Sequence, residues 1–212
     1  IAKGADYLNC PADGLEFDGK RVYKLACEAD GTRKEITIKD LANRVQCANE
    51  DALQVTQSHS SPISPPPFMA GAAEVEVDLE TGQVELIKFA AAVDCGTPLN
   101  ENLARVQTEG GLVQGIGMAL YEDVSYSKDG KVHENSFMQY KVPSRLDVGR
   151  VQVEFESSSE PTGPFGAKSI GEVVINTPSP AIANAVYNAV GVRIRELPIT
   201  AEKVFKGMNG LD

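Results

Sequence analysis

Alternation of apolar and polar residues near the start of the chain predicts a β-hairpin. Segments 15–17 and 21–23 are strand-like, and they flank Asp18-Gly19, a pair that tolerates the positive φ of a tight turn. After a further short strand, the apolar spacing changes to that of a helix over residues 39–48. Residues 1–55 are therefore predicted to form a small α+β subdomain.

A longer alternation, from residue 72 to residue 93, predicts the central hairpin of a second sheet. One face carries apolar residues, namely Ala73, Val75, Val77 and Leu79. The turn Thr81-Gly82 reverses the chain, and an alternating strand at 151–155 extends the sheet. His133, beside the turn Asp129-Gly130, is also assigned to a strand. Residues 72–212 are thus predicted as an α+β subdomain with mixed or antiparallel sheets and packed helices.

Serine and proline separate these two parts of the chain. Proline removes a backbone donor and fixes φ, so neither a helix nor a central strand can run through residues 56–67, and we interpret residues 56–71 as a linker. The spacing Pro62-x-x-Pro65 also matches ligands of proline-reading domains. A plain extended crossover is the simpler interpretation.

The charge of the chain limits its partners. Asp and Glu number 30 against 20 Lys and Arg, which gives a net charge of -10, and the acids are scattered rather than clustered. Nucleic acid and anionic membranes are therefore poor partners. No apolar run approaches the ~20 residues of a membrane span, and no signal-peptide pattern is visible, so the expected location is cytoplasmic.

Cysteine and histidine do not form a recognisable metal or redox motif. The four cysteines are widely separated: Cys10, Cys27, Cys47 and Cys95. Only two histidines exist, His59 and His133, which disfavours both a histidine metal site and a Ser-His-Asp triad. We therefore assign no metal ligand.

Residues 104–122 have helical spacing but contain four glycines, Gly110, Gly111, Gly115 and Gly117. At about 1 kcal/mol each in a helix interior, they must serve a close approach to the backbone. A tight contact with another helix or sheet explains this more simply than a ligand does. Gln107, near the helix start, is a neutral donor and acceptor that any surface could carry.

A loop of small residues, 164–172, ends at Glu172 and precedes a helix that Ser179 can cap and Pro180 can open. The apolar run 173–175 follows directly. Apolar surroundings would favour the neutral form of the Glu172 carboxyl and make it a usable general base. The alternative is a surface glutamate on a glycine turn. The loop lacks the lysine and serine or threonine that a phosphate loop places after its second glycine.

Three segments, in this order, resemble the molybdopterin-binding subunit of the xanthine dehydrogenase and aldehyde oxidase family of molybdenum hydroxylases. They are Ala73-Glu-Val-Glu-Val-Asp with Thr81-Gly, then Val93-Asp-Cys-Gly with Gln107-Thr-Glu-Gly-Gly and Gln114-Gly-Ile-Gly, then Gly166-Ala-Lys-Ser-Ile-Gly-Glu172. Their joint order is more specific than any single segment. The residues before the linker resemble the family more weakly.

The resemblance implies a molybdenum–molybdopterin cofactor, with the cytosine dinucleotide as one form it leaves open. In this family a glutamate deprotonates a hydroxyl ligand of the metal, which attacks an electron-poor carbon while hydride passes to a sulfido ligand. Glu172 matches that glutamate, and Gln107 matches a glutamine that hydrogen-bonds the cofactor. Lys168, Ser169, Ile170 and Gly171 match the loop around the pterin and the metal. The substrate would be an N-heterocycle, such as a purine, or an aldehyde.

The family's other cofactor loops are absent from this sequence, which opens at Ile1 in what resembles the tail of a helix. We therefore expect a fragment that binds no cofactor by itself and is inactive alone. The implied partners are the remainder of the molybdopterin-binding subunit, iron–sulfur and FAD subunits or domains, and a small-molecule substrate; a homo-oligomer is left open. Two alternatives stand: a non-catalytic piece that completes a scaffold and interface, and a relative that oxidises carbon monoxide or dehydroxylates an aromatic thioester.

Overall fold

A computed structural model describes residues 1–48, 50, 53–58, 60, 63–156 and 158–211. It divides the chain into two compact units, Ile1–Ser60 and Ser61–Asp212. His59, and Pro62 of the spacing Pro62-x-x-Pro65, lie outside the described residues. Within the described ranges, no helix is both long enough and apolar enough to cross a membrane.

The first unit is a three-stranded antiparallel sheet with two helices. Its elements are α1 (Ala2–Leu8), β1 (Leu15–Phe17), β2 (Arg21–Lys24), β3 (Glu35–Thr37) and α2 (Ile38–Cys47). The predicted hairpin is confirmed, and Gly19 in its turn has φ +90°. Thr37 begins α2 by accepting a hydrogen bond from the Asp40 N–H at 3.1 Å. Leu41 and Val45, on one face of α2, pack in the core with Leu15, Val22 and Ile36.

The second unit is a three-stranded mixed sheet covered by helices. Its elements are β4 (Phe68–Val77), β5 (Val84–Asp94), α3 (Glu101–Leu120), β6 (Arg150–Phe155), α4 (Val173–Asn176), α5 (Pro178–Val190) and α6 (Ala201–Met208). The strand order is β4-β5-β6, with β4 antiparallel and β6 parallel to β5. Helix α3 lies in the connection that a parallel pair requires. The predicted α+β class is confirmed.

One core joins the sheet to α3, α5 and α6. Its fully buried side chains include Leu86, Phe89, Val93, Leu112, Ile116, Val153, Ile182, Val186 and Val204. The predicted apolar face of β4 is half-buried against this core through Ala73, Val75 and Val77. Leu79 departs from that face: it lies beyond the end of β4 and is 69% exposed.

Several predicted details of the second unit are wrong. Helix α3 begins at Glu101 rather than residue 104, because the Asn100 side chain caps it by accepting from the Leu103 N–H at 3.0 Å. Helix α5 begins at Pro178, so Ser179 lies inside it and is not its cap. His133 belongs to no strand, because only one isolated bridge, Tyr126 with Val132, forms there. The short helix α4 and the helix α6 were not predicted.

Candidate functional site

The segment that carries Glu172 is held against the end of β5 by its main chain. We call residues 167–172 the site loop. The N–H of Lys168 donates to the carbonyl of Cys95 at 2.7 Å, and the N–H of Thr97 donates to the carbonyl of Gly166 at 2.7 Å. Gly96, with φ +67°, lies so close to the site loop that a Cβ there would be 2.9 Å from the main-chain nitrogen of Lys168. The beginning of the site loop is therefore fixed to the sheet.

Glu172 and Gln107 meet in a groove between α3 and α4. This Glu172 groove has a volume of about 620 Å³ and is lined by Val106, Gln107, Gly110, Gly111, Gln114, Gly171, Glu172, Ile175 and Asn176. Glu172 immediately precedes α4, and its side chain is exposed. Gln107 lies on the exposed face of α3, together with Gly110 and Gln114. The structure thus brings together two residues that are far apart in the sequence.

The glycines of α3 serve two different contacts. A Cβ on Gly111 would overlap Val174 Cγ2, and one on Gly115 would lie 2.7 Å from Pro178 Cγ. These two glycines therefore allow α3 to pack closely on α4 and the start of α5. A Cβ on Gly110, by contrast, would meet nothing within 4 Å. Of these three glycines, only Gly110 leaves open space in the groove instead of allowing a close contact between helices.

The remaining predicted residues line two neighbouring grooves. An apolar groove of about 560 Å³ lies where Gln107, Lys168, Ile170 and Gly171 meet the segment 95–104. Ser169 is exposed and, with Lys168, lines a third groove of about 530 Å³. Gln107 and Gly171 line both the Glu172 groove and the apolar groove. The site loop is therefore the wall that all three grooves share.

The site loop presents a run of main-chain donors. Over the described part of the chain, no acceptor is bound by the N–H groups of Ser169, Ile170, Gly171 and Glu172, nor by the side chain of Gln107. Successive free N–H groups create a local positive potential that favours anionic or polar ligands. Gln107 and the site loop thus offer the grooves neutral and main-chain donors rather than free cationic side chains.

The ammonium group of Lys168 is engaged elsewhere. Its Nζ lies 2.5 Å from Asp94 Oδ2, and the two side chains are only 9% and 22% exposed. Asp94 Oδ1 also accepts from Ser158 Oγ at 2.5 Å and from the Gly96 N–H at 3.0 Å. These three donors, Lys168 foremost, lower the pKa of Asp94 to about 2. Lys168 therefore lines the grooves while its charge is paired inside the fold.

Glu172 lacks the apolar enclosure that the run 173–175 was expected to give it. Val174 is fully buried, but it packs on Gly111 at the α3 contact. The carboxylate itself is exposed and makes no hydrogen bond or ion pair with any described residue. The interpretation of the following residues as its surroundings was wrong, because α4 turns Val174 inward.

Sequence reasoning missed several polar residues of this region. Gln114 and Asn176 line the Glu172 groove, and helical spacing would have found both: Gln114 follows Gln107 by two turns of α3, and Asn176 follows Glu172 by about one turn. Asp94 accepts from the Lys168 ammonium, and Ser158 donates to Asp94, but no local sequence pattern links these three residues.

Comparison with known proteins gives consistent matches. A family model described as molybdopterin cofactor-binding domain matches residues 1–149, a range that includes Gln107 and ends before the site loop. "Probable hypoxanthine oxidase XdhD" of Escherichia coli (strain K12) is 34% identical over 97% of this chain and 21% of that protein. The aldehyde oxidoreductase molybdenum-binding subunit PaoC of the same organism is 36% identical over 65% of this chain and 19% of that protein.

The fold has counterparts among solved structures. Reconstituted CO dehydrogenase from Oligotropha carboxidovorans superposes with a TM-score of 0.78 at 25% identity, covering 99% of this chain and 26% of that one. The chain therefore spans about a fifth of the length of the curated relatives it matches and about a quarter of this structural counterpart.

Proposed function

Since the chain belongs to the molybdopterin cofactor-binding domain family of the molybdenum hydroxylases, we propose that it forms one wall of a hydroxylase site in which Glu172 is the general base. The substrate would be an N-heterocycle or an aldehyde. One observation carries the proposal: α3 and the site loop bring Gln107 and an unpaired carboxylate to one groove, and the residues with free main-chain donors line this groove and its two neighbours.

The donor set fits a molybdenum–pterin group. Such a group carries phosphate and other polar or anionic atoms, which accept hydrogen bonds from neutral amides and main-chain N–H groups. We assign its binding to the Gln107 side chain and to the N–H groups of Ser169, Ile170 and Gly171. A Cβ on Gly110 or Gly171 would meet no other part of the described chain within 4 Å, so both leave room for a ligand close to the main chain. Neither donor group of Lys168 is free for the bound group, because Asp94 binds its ammonium and the Cys95 carbonyl accepts its N–H, so Lys168 would contribute by fixing the start of the site loop.

When bound, the molybdenum cofactor supplies a redox centre and makes water-derived oxygen nucleophilic near neutral pH. The protein's part is to receive the proton that this oxygen gives up. Both carboxylate oxygens of Glu172 are without a partner among the described residues, so either Oε can accept that proton. The main chain of the site loop meanwhile fixes the carboxylate relative to the bound group. The proposed base, Glu172, and the main-chain binding donors thus belong to one short segment, the site loop.

We further propose that the isolated chain neither retains the cofactor nor turns over substrate. Its three grooves are open surfaces, and the relatives that it matches are about five times as long. The remainder of the molybdopterin-binding subunit would close the site, and iron–sulfur and flavin partners would accept the electrons. Metal analysis of the purified 212-residue chain tests this: a stoichiometric content of molybdenum and pterin would contradict it.

The role of Glu172 is tested in the complete enzyme by Glu172→Gln, which keeps the shape of the side chain but removes the base. Loss of general-base catalysis is expected to lower kcat by roughly 100-fold or more. Molybdenum and pterin content should stay near wild type, because no assigned binding group changes. The control is Glu80→Gln, at an exposed glutamate in the turn between β4 and β5. Turnover of Glu172→Gln above a tenth of wild type would refute the assignment.

A further inference from the structure

A partly buried ion pair stands at the base of the site loop, away from the free donors. Lys168 and Asp94 are separated by 74 positions in the sequence, yet Nζ and Oδ2 lie 2.5 Å apart. The ring centroid of Phe68, at the start of β4, is 5.3 Å from the same Nζ. The ammonium is thus surrounded by β4, the end of β5 and the site loop itself. The Lys168 ammonium thus links these three parts of the fold and is largely shielded from solvent.

Asp94 is held in turn from two further directions. Ser158, which follows β6, donates to Oδ1, and the N–H of Gly96 donates to the same oxygen. The Asp94 carboxylate therefore accepts hydrogen bonds from the segment after β6, from the turn after β5 and from the site loop. Removing one member of such a pair leaves the other charge desolvated and without its partner, and this lowers stability more than replacing both members does.

The free part of the site loop is short and is anchored at both ends. On one side, Lys168 is fixed by its ion pair and by its N–H bond to Cys95. On the other side, Val174 is fully buried against Gly111. Between these anchors, residues 169–172 make no main-chain N–H bond to any described residue. Ile170 packs partly buried against the core, and the Glu172 carbonyl accepts from the Ile175 N–H at 3.2 Å, but no described residue binds the Glu172 carboxylate. The position of this carboxylate thus depends on how the main chain of the site loop is anchored.

We propose that Asp94 and Lys168 are positioning residues, a latch that fixes the site loop so that Glu172 and the free N–H groups keep their places at the three grooves. This inference rests on the proposed function only for its catalytic consequence. It assigns to the Lys168 side chain an internal role in place of direct contact with a cofactor. It also gives Asp94 and Ser158 a part in the site, although neither reaches the groove.

The first test uses the 212-residue chain alone and requires no cofactor. Lys168→Met and Asp94→Asn are compared by backbone NMR relaxation of Ser169–Glu172. In the wild type we expect order parameters near the rigid value of about 0.85, and in either variant values below about 0.6. The control is Lys131→Met, which breaks an ion pair with Asp129 in the same unit whose side chains are 81% and 60% exposed. Circular dichroism checks that each variant is folded.

The second test is a double-mutant cycle in the complete enzyme, read as kcat, KM and molybdenum content separately. A latch predicts that each single variant lowers kcat at least tenfold with KM changed less than threefold. It also predicts that the double variant is no worse than either single one, because both remove the same link. If the Lys168 side chain bound the cofactor directly, Lys168→Met would lower the molybdenum content while Asp94→Asn would not.

The two proposals fail in different ways. Unchanged order parameters in both variants would overturn the latch whatever the role of Glu172. A loosened loop in the isolated chain, together with full turnover of Glu172→Gln in the complete enzyme, would overturn the general base and leave the latch standing. Lys168→Arg adds a rescue arm: restored kcat supports a link by charge, whereas loss of molybdenum in this variant together with normal molybdenum content in Asp94→Asn contradicts it.

Discussion

The close packing of α3 on α4 predicts opposite effects of the same substitution at two adjacent glycines. Both Gly110 and Gly111 lie in the interior of α3, so alanine at either position should gain about 1 kcal/mol of helix propensity. At Gly110 the new methyl group meets open space. At Gly111 it overlaps Val174 Cγ2 and lies 3.0 Å from Val174 Cβ. The two substitutions thus change helix propensity equally and differ only in how the new methyl group packs.

The size of the difference follows from how little Val174 can move. Its side chain is fully buried and β-branched, so few rotamers are open to it, and α4 must shift to relieve the overlap. Forcing one extra methyl group into a packed core costs about 1–3 kcal/mol. Gly110→Ala should therefore stabilise the second unit by up to about 1 kcal/mol, and Gly111→Ala should be less stable than Gly110→Ala by about 1–3 kcal/mol.

The appropriate assay reports on the second unit alone, because the chain has two units whose transitions need not coincide. Native-state hydrogen exchange of amides in the buried part of α3, such as those of Leu112 and Ile116, gives the free energy of opening for this helix directly. Equal opening free energies in the two variants, or a more stable Gly111→Ala, would show that α4 yields without cost. The explanation of the glycines by helix packing would then be refuted.

Two further predictions concern single side chains. Because the pKa of Asp94 is lowered to about 2, its stabilising contribution of about 2 kcal/mol should be fully present above about pH 4 and should fade as the pH falls through 2. Urea unfolding between pH 5 and pH 2 should show the wild type losing its advantage over Asp94→Asn, whereas an advantage that does not change with pH would contradict the assignment. Asn100→Ala should lower the free energy of unfolding by about 1 kcal/mol, because it removes the side-chain cap of α3. The control Asn102→Ala, at an exposed position without that hydrogen bond, should lower it much less. Equal losses of unfolding free energy in the same urea assay would argue against capping.

Local patterns predicted much of the fold. The hairpin around Asp18-Gly19, the strand pair from residue 72 to residue 93 and the helices α2, α3 and α5 all follow from periodicity and turn chemistry. The errors lie at boundaries and in short elements. α4 has four residues, too few to show a helical period, and the start of α5 was misplaced because two prolines stand one residue apart there.

The candidate site was less accessible to sequence reasoning. Resemblance indicated Gln107 and Glu172, and the structure places both at one groove, but their roles stay predictions. The partner of Lys168 could not be read from the sequence, since the Asp94 contact joins positions 74 apart. Likewise, which of the α3 glycines faces open space and which faces a helix depends on tertiary packing, and of Gly110, Gly111, Gly115 and Gly117 only Gly110 proved open.

The free donors of the site loop have a consequence for mutational scanning. They belong to the main chain, which every residue other than proline supplies identically. An alanine scan across Ser169, Ile170 and Gly171 would leave each N–H in place and could report a tolerant segment. Proline alone deletes a donor at a chosen position. Tolerance to ordinary substitution is therefore no measure of how much this segment contributes to binding, and a scan should include proline at each of the three positions.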